Sequence, residues 1–196
     1  METIKLGVLY AHLIAVCFAL VAVLKADYRL WGWRGKVLDS TRRRYLEHTQ
    51  LTVTRLLVVL WGTGLMMIVL GYAKDGSHYL ANPKLWAKLT VVLILTLNGA
   101  LLHRIVFPLL TVRLSFCELP LQERLIVGAL GALSCSSWLF AAMLGVARDW
   151  SYREPYTRQL SLYLLVVLFA LSGALILAVM PRGQSQSRGR ARGRAY

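Results

Sequence analysis

The chain has 196 residues, of which 23 are lysine or arginine and 9 are aspartate or glutamate, giving a formal net charge of +14. Its hydrophobic fraction of 57% exceeds the roughly 45–50% of soluble domains, and the excess lies in long apolar runs. These runs exclude a soluble globular protein, and the length excludes two sizeable membrane domains. We therefore predict an all-α integral membrane bundle of five transmembrane helices.

The first predicted span covers residues 4–24, and its long apolar core favours an uncleaved helix over a signal peptide. Residues 25–48 are predicted to be a loop, which is the most basic segment between spans. Tyr28, Trp31 and Trp33 suit the headgroup region of a bilayer. Asp39, followed by Ser40, predicts a helix cap, so the second helix should begin before the bilayer.

The second predicted span covers residues 51–72. Asp75-Gly76 predicts a turn after it, and Asn82-Pro83 predicts the start of the third helix. The third span, residues 86–110, is expected to end near Pro108. It is apolar enough to cross a bilayer, yet it contains polar residues, which are costly there: Lys88, Asn98, His103 and Arg104.

The fourth predicted span, residues 125–147, has small residues at three- and four-residue spacing, which is typical of a closely packed, protein-facing helix. The fifth covers residues 160–180. We expect residues 1–181 to form the transmembrane domain and residues 182–196 to form a disordered, Arg/Gly-rich cytoplasmic tail. The small residues of the fourth span are Gly128, Gly131, Ala132, Cys135 and Ser136.

The distribution of basic residues predicts the sidedness of the chain. With the N-terminus outside, the inner segments hold fourteen lysine and arginine residues, and the outer segments hold seven when Lys5 and Lys88, at the outer ends of their spans, are included. The positive-inside rule then predicts an outside N-terminus and an inside C-terminus in a bacterial cytoplasmic membrane. This arrangement favours anionic lipid headgroups over nucleic acid as the partner of the basic segments.

The polar residues of the spans are the candidate binding groups. His48 and Arg55 lie seven residues apart and so share one helix face. We expect them at the same inner depth as His103 and Arg104. Two histidines on adjacent helices are typical ligands of haem iron or copper, and arginines or lysines can neutralise haem propionates. The predicted cofactor-binding residues are His12, His48, Arg55, Lys88, His103 and Arg104, with His12 and His103 as the metal ligands.

Two other functions are consistent with the sequence. The same polar side chains can serve as interhelical contacts in a non-enzymatic membrane scaffold or subunit. A small-solute permease is less favoured, because none of the predicted spans contains an aspartate or glutamate. The three cysteines, Cys17, Cys117 and Cys135, have no metal-ligand spacing, and no phosphate loop or zinc motif is present.

Three segments carry a resemblance to known proteins: LYAHLIAVCFALVAVLKADYRLW, RLLVVLWGTGLMMIVLG and NPKLWAKLTVVLILTLNG. Their order resembles bacterial inner-membrane proteins of the copper-resistance D type and of the haem-containing protoporphyrinogen oxidase J type. The resemblance implies that His12 corresponds to a haem-associated histidine, and that Lys88 corresponds to the lysine that opens the third helix. Where the oxidase type has a further histidine, this chain has Asn98.

Overall fold

The computed structural model describes residues 2–34, 36, 39–111 and 119–179. Five of the described helices are long and apolar enough to cross a membrane, which confirms the predicted all-α fold. The predicted tail, residues 182–196, lies outside the described residues. The numbered helices are α1 (Glu2–Trp33), α2 (Ser40–Asp75), α3 (Ser77–Leu80), α4 (Pro83–Leu101), α5 (Phe107–Thr111), α6 (Leu121–Val146) and α7 (Tyr156–Val179).

The predicted helix boundaries around α2 and α4 are confirmed by their capping bonds. The Asp39 carboxylate accepts a 2.8 Å hydrogen bond from the Arg42 backbone N–H, so α2 begins at Ser40. Gly76 ends α2 with a φ of 61°, a conformation that favours glycine. The Asn82 side chain accepts from the Lys84 N–H at 3.0 Å and starts α4.

One predicted boundary is wrong. Residues 25–33 were expected in a loop, but α1 continues to Trp33, because no proline interrupts this stretch and its polar residues are compatible with a helix. An acidic residue, Asp27, therefore lies within a candidate span. The third span ends near Pro108 as predicted, since the candidate span covers Pro83–Leu109, and a π-helical turn at Leu102–Val106 precedes α5, which contains the proline.

The long helices pack as two hairpins, and α4 packs mainly on the second of them. The first hairpin consists of α1 and α2, and the second consists of α6 and α7. The short connection between α2 and α4 does not make them close neighbours, since α4 packs mainly on α6 and also on α7. A hydrogen bond of 3.1 Å from Trp61 Nε1 to Thr96 Oγ1 links α2 with α4.

The protein-facing surface of α6 agrees with the prediction from its small residues. A Cβ atom on Gly128 would lie 3.6 Å from the Cβ atom of Ala174, so α6 and α7 approach closely there. Ser136 and Ser137 are buried, and the Ser137 hydroxyl lies 2.8 Å from the Tyr163 hydroxyl. Large apolar side chains elsewhere are exposed, Phe169 by 84%, and they form the surface expected to contact lipid.

Candidate functional site

His12 lies on α1, half-buried against α2. Its Nδ1 atom is 2.7 Å from the Thr63 hydroxyl, which itself donates to the Val59 carbonyl at 2.7 Å. Because the hydroxyl proton is used in that second bond, Thr63 accepts the N–H of His12 Nδ1. The neutral ring then keeps a lone pair on Nε2, which is the form of histidine that binds metals.

Close approach of α1 and α2 surrounds this histidine. A Cβ atom on Gly64 would lie 3.8 Å from His12 Cε1. Lys88 lies half-buried on α4. A groove of about 240 Å³ opens further along the α1–α2 contact and is lined by Glu2, Lys5, Leu70 and Lys74. That volume is below the roughly 300–1,000 Å³ of typical ligand pockets.

His103 belongs to a different part of the bundle. It lies in the π-helical turn, is exposed, and has its Nδ1 atom 2.5 Å from Gln50 Nε2 on α2. Its ring also lies 6.3 Å from that of Phe107 between centroids. The other residues predicted at this depth, His48, Arg55 and Arg104, are also exposed.

The structure does not bring His12 and His103 together. Their partners on α2, Thr63 and Gln50, are 13 residues apart, which corresponds to about 20 Å along the helix. Two axial ligands of one iron must both reach the metal directly, so this pair does not fit a single haem or copper ion. Among the described residues, no group of three or more histidine, cysteine or acidic side chains is arranged to hold a metal ion.

Asn98 does not meet His12 either. It is 1% exposed, and its Nδ2 group donates a 3.1 Å hydrogen bond to the Leu130 carbonyl of α6. His12 instead bonds to α2. The polar residues of the spans are therefore distributed over separate helix pairs, α1–α2, α2–α4, α4–α6 and α6–α7.

Lysine and arginine side chains join helix ends in a way that the sequence did not predict. Lys84, 6% exposed, donates from Nζ to the carbonyl of Ala147, which caps the C-terminus of α6. Arg124 of α6 donates to the Ala178 carbonyl near the end of α7. Positive charge is favourable at helix C-termini, where carbonyl groups lack intrahelical partners. No sequence motif identifies which distant helix end such a side chain reaches.

Arginine side chains stack on aromatic rings where α1 ends and α2 begins. Arg29 lies 4.2 Å from the ring centroid of Tyr45, and Arg42 lies 5.7 Å from that of Trp33. The Trp33 and Tyr45 rings meet edge to face at 5.8 Å. We call this region the basic end, defined by Arg29, Trp31, Trp33, Arg34, Arg42 and Tyr45.

These features define the chain as a multi-pass α-helical membrane protein in which polar side chains join pairs of helices and one end is basic and aromatic. No family model, no curated protein and no solved structure matches it.

Proposed function

We propose that the protein is a non-catalytic membrane subunit or scaffold. One observation carries this proposal: the predicted ligands His12 and His103 lie apart, and the polar side chains of the spans bond across several different helix pairs. His12, Asn98 and Ser137 each make a side-chain hydrogen bond between the two helices of a different pair. Bonds of this kind are worth about 0.6 kcal/mol on average and up to about 1.7 kcal/mol in membrane proteins. They contribute to the assembly of the bundle without requiring a ligand.

A second candidate is a haem- or metal-binding protein in which His12 is the protein ligand. The available lone pair on His12 Nε2 favours it, since a ligating histidine commonly donates its other N–H to a neighbouring oxygen. The separation from His103 leaves this candidate with one identified ligand. A haem iron that is bound by a single proximal histidine needs only one such ligand from the protein.

The visible spectrum and metal content of the purified protein distinguish the two candidates. We expect a colourless, metal-free sample when the full chain is expressed with added iron, copper and haem precursor. We also expect His12→Ala to fold with a small loss of thermal stability, since it removes one interhelical bond. A Soret band or stoichiometric copper that disappears in His12→Ala, but remains in the matched variant His78→Ala, would contradict the scaffold proposal and support the second candidate.

We also propose that the protein lies in a bacterial cytoplasmic membrane with its N-terminus outside. The twofold excess of basic residues in the inner segments supports this orientation. The clustering of arginines at the basic end agrees with it, because these residues would then face the cytoplasm.

Cysteine labelling of intact cells tests the orientation. Ser77 and Arg44 lie near opposite ends of α2, and both are exposed. In a chain whose native cysteines are replaced by alanine, a membrane-impermeant maleimide should label Ser77→Cys in intact cells. It should label Arg44→Cys after permeabilisation only. The reverse pattern would invert the proposed orientation.

Anionic phospholipid headgroups are the proposed partner of the basic end. Arg29 and Arg34 both stack on aromatic rings, Arg34 at 4.1 Å from the Trp31 centroid. Neither is among the ion pairs of the described residues, whereas Arg43 pairs with Glu47 at 2.8 Å. Arginine charges held beside tryptophan and tyrosine rings suit the headgroup region of an anionic membrane surface.

Replacing Arg29 and Arg34 by glutamine should weaken the binding of phosphatidylglycerol to the detergent-solubilised protein. Each basic residue near an anionic surface contributes about 1 kcal/mol, so we expect the apparent Kd to rise about 25-fold for the double variant. Tryptophan fluorescence during lipid titration measures this, with phosphatidylcholine as the zwitterionic comparison. The matched double variant, Arg148→Gln with Arg153→Gln, removes two exposed charges from the opposite end. Equal losses in both double variants would contradict a specific role of the basic end.

A further inference from the structure

A layer of polar residues crosses the bundle between two hydrophobic clusters. One cluster contains Val23 of α1, Leu95 of α4 and Trp138 of α6. The next contains Leu30 of α1, Leu102 of the π-helical turn and Leu130 of α6. Along each of these three segments, the residue that belongs to the first cluster lies about two helical turns from the residue that belongs to the second. The residues midway between them are Asp27, Asn98 and Ser134.

Oxygen atoms in this layer have no hydrogen-bond donor. The Oδ2 atom of Asp27 and the Oδ1 atom of Asn98 are fully buried, and neither has a hydrogen-bond partner among the described residues. Asn98 uses its Nδ2 group on the Leu130 carbonyl, and its buried Oδ1 atom is an acceptor that this bond does not use. Buried acceptors without donors are costly, and more so between apolar layers.

Among the described residues, no basic side chain forms an ion pair with Asp27. Arg29, on its own helix, is stacked on Tyr45, and Lys25 lies two residues before Asp27 and is exposed. From α2, the nearest titratable group by helix register is the exposed His48. From α6, the nearest titratable group by helix register is the half-buried thiol of Cys135. From the end of α4, His103 and Arg104 are exposed.

We propose that Asp27 and Asn98 form a binding site for one small monovalent cation, either a proton or Na⁺. A proton converts the carboxylate of Asp27 to a carboxylic acid, which can donate to an acceptor in the layer. Na⁺ is instead coordinated directly by the carboxylate and amide oxygens, which are the hard ligands that such cations prefer. In both cases the positive charge neutralises Asp27, so the carboxylate no longer lies uncompensated between apolar clusters. This site would make the stability of the bundle depend on the cation.

Thermal unfolding of the full chain in detergent tests the site. In sodium-free choline buffer, the Tm of the wild-type protein should fall by about 4 °C or more between about pH 4 and about pH 8, because the unfolded carboxylate ionises at the low end of this range and the buried folded carboxylate keeps its proton to higher pH. In Asp27→Asn this component of the pH dependence should disappear. If Na⁺ restores the wild-type Tm at about pH 9 and leaves Asp27→Asn unchanged, the cation is Na⁺. If Na⁺ has no effect on the wild-type Tm at about pH 9 and only acidification raises it, the cation is a proton.

The matched control is Asp75→Asn, which removes an exposed carboxylate at the end of α2 and should respond to pH and Na⁺ as the wild-type protein does. If Asp27→Asn cannot be purified in a folded state, Asp27→Leu takes its place, because leucine removes both the charge and the need for a donor. The same pH and Na⁺ dependence in the wild type and in the Asp27 variant would overturn the proposal. So would a wild-type Tm that responds to neither cation.

Discussion

Substitution of Lys84 by methionine is expected to lower the Tm of the purified protein by about 4–8 °C. Lys84 is buried, and its ammonium group donates to the Ala147 carbonyl at the C-terminus of α6. A hydrogen bond to a charged group contributes about 1.5–3 kcal/mol, and the substitution also leaves the carbonyl without this partner. Methionine retains most of the apolar stem of lysine, so the decrease in Tm measures the contribution of the ammonium group. Differential scanning fluorimetry in detergent measures the change.

Lys74→Met provides the comparison for this prediction. Lys74 pairs with Glu2 at 2.5 Å, but both side chains are largely exposed, so water already solvates them. Exposed ion pairs contribute little, and we expect no measurable change in Tm. Lys84→Arg should keep part of the stability, because it retains the charge near α6. If Lys84→Met and Lys74→Met gave the same Tm, the buried lysine would have no role in joining α4 to α6.

Gly71→Ala is expected to lower Tm by about 2–6 °C in the wild-type chain and to raise it in a Tyr79→Ala background. A Cβ atom at position 71 would lie 2.4 Å from two atoms of the Tyr79 ring, so the ring must move and lose its packing on α2. Overpacking typically costs about 1–3 kcal/mol. Burial raises the pKa of the Tyr79 phenol, so the ring is neutral at neutral pH and packs as an apolar group.

The reversal of sign follows from two opposing effects. Alanine is favoured over glycine within a helix by about 1 kcal/mol, and this gain becomes visible when the Tyr79 ring is absent. Gly62→Ala is the matched control, since a Cβ atom there has no neighbour within 4 Å and the substitution should raise Tm. A rise in Tm for Gly71→Ala in the wild-type chain would contradict the close packing of Tyr79 on α2.

Helix identity and several helix ends were predictable because their causes are local. About 20 consecutive apolar residues are enough to indicate a span, and five such runs are present. Asp39, Gly76 and Asn82 end or begin helices through bonds to residues within a turn or so of themselves. The end of α1 was not predictable in this way, because charged residues can continue a helix beyond its apolar core.

The candidate binding residues show the limit of local information. Sequence spacing correctly placed His103 at the same end as the start of α2, where the structure finds it beside Gln50. It did not reveal that His12 bonds to Thr63, about 20 Å further along the same helix. Whether His12 and His103 can bind one metal ion depends on where along α2 each of them makes contact. The spacing of residues within a single helix does not contain this information.

The sequence by itself determined that five helices are long and apolar enough to cross a membrane, since hydrophobicity and length act on each segment independently. The tertiary structure alone decided which polar side chains meet, including the positions of Asp27 and Asn98 at one level of the bundle. The physical reason is that lipid accepts apolar side chains on every side of a helix. The apolar pattern therefore does not specify which face packs on a neighbour, and the contacts between helices fix the relative positions.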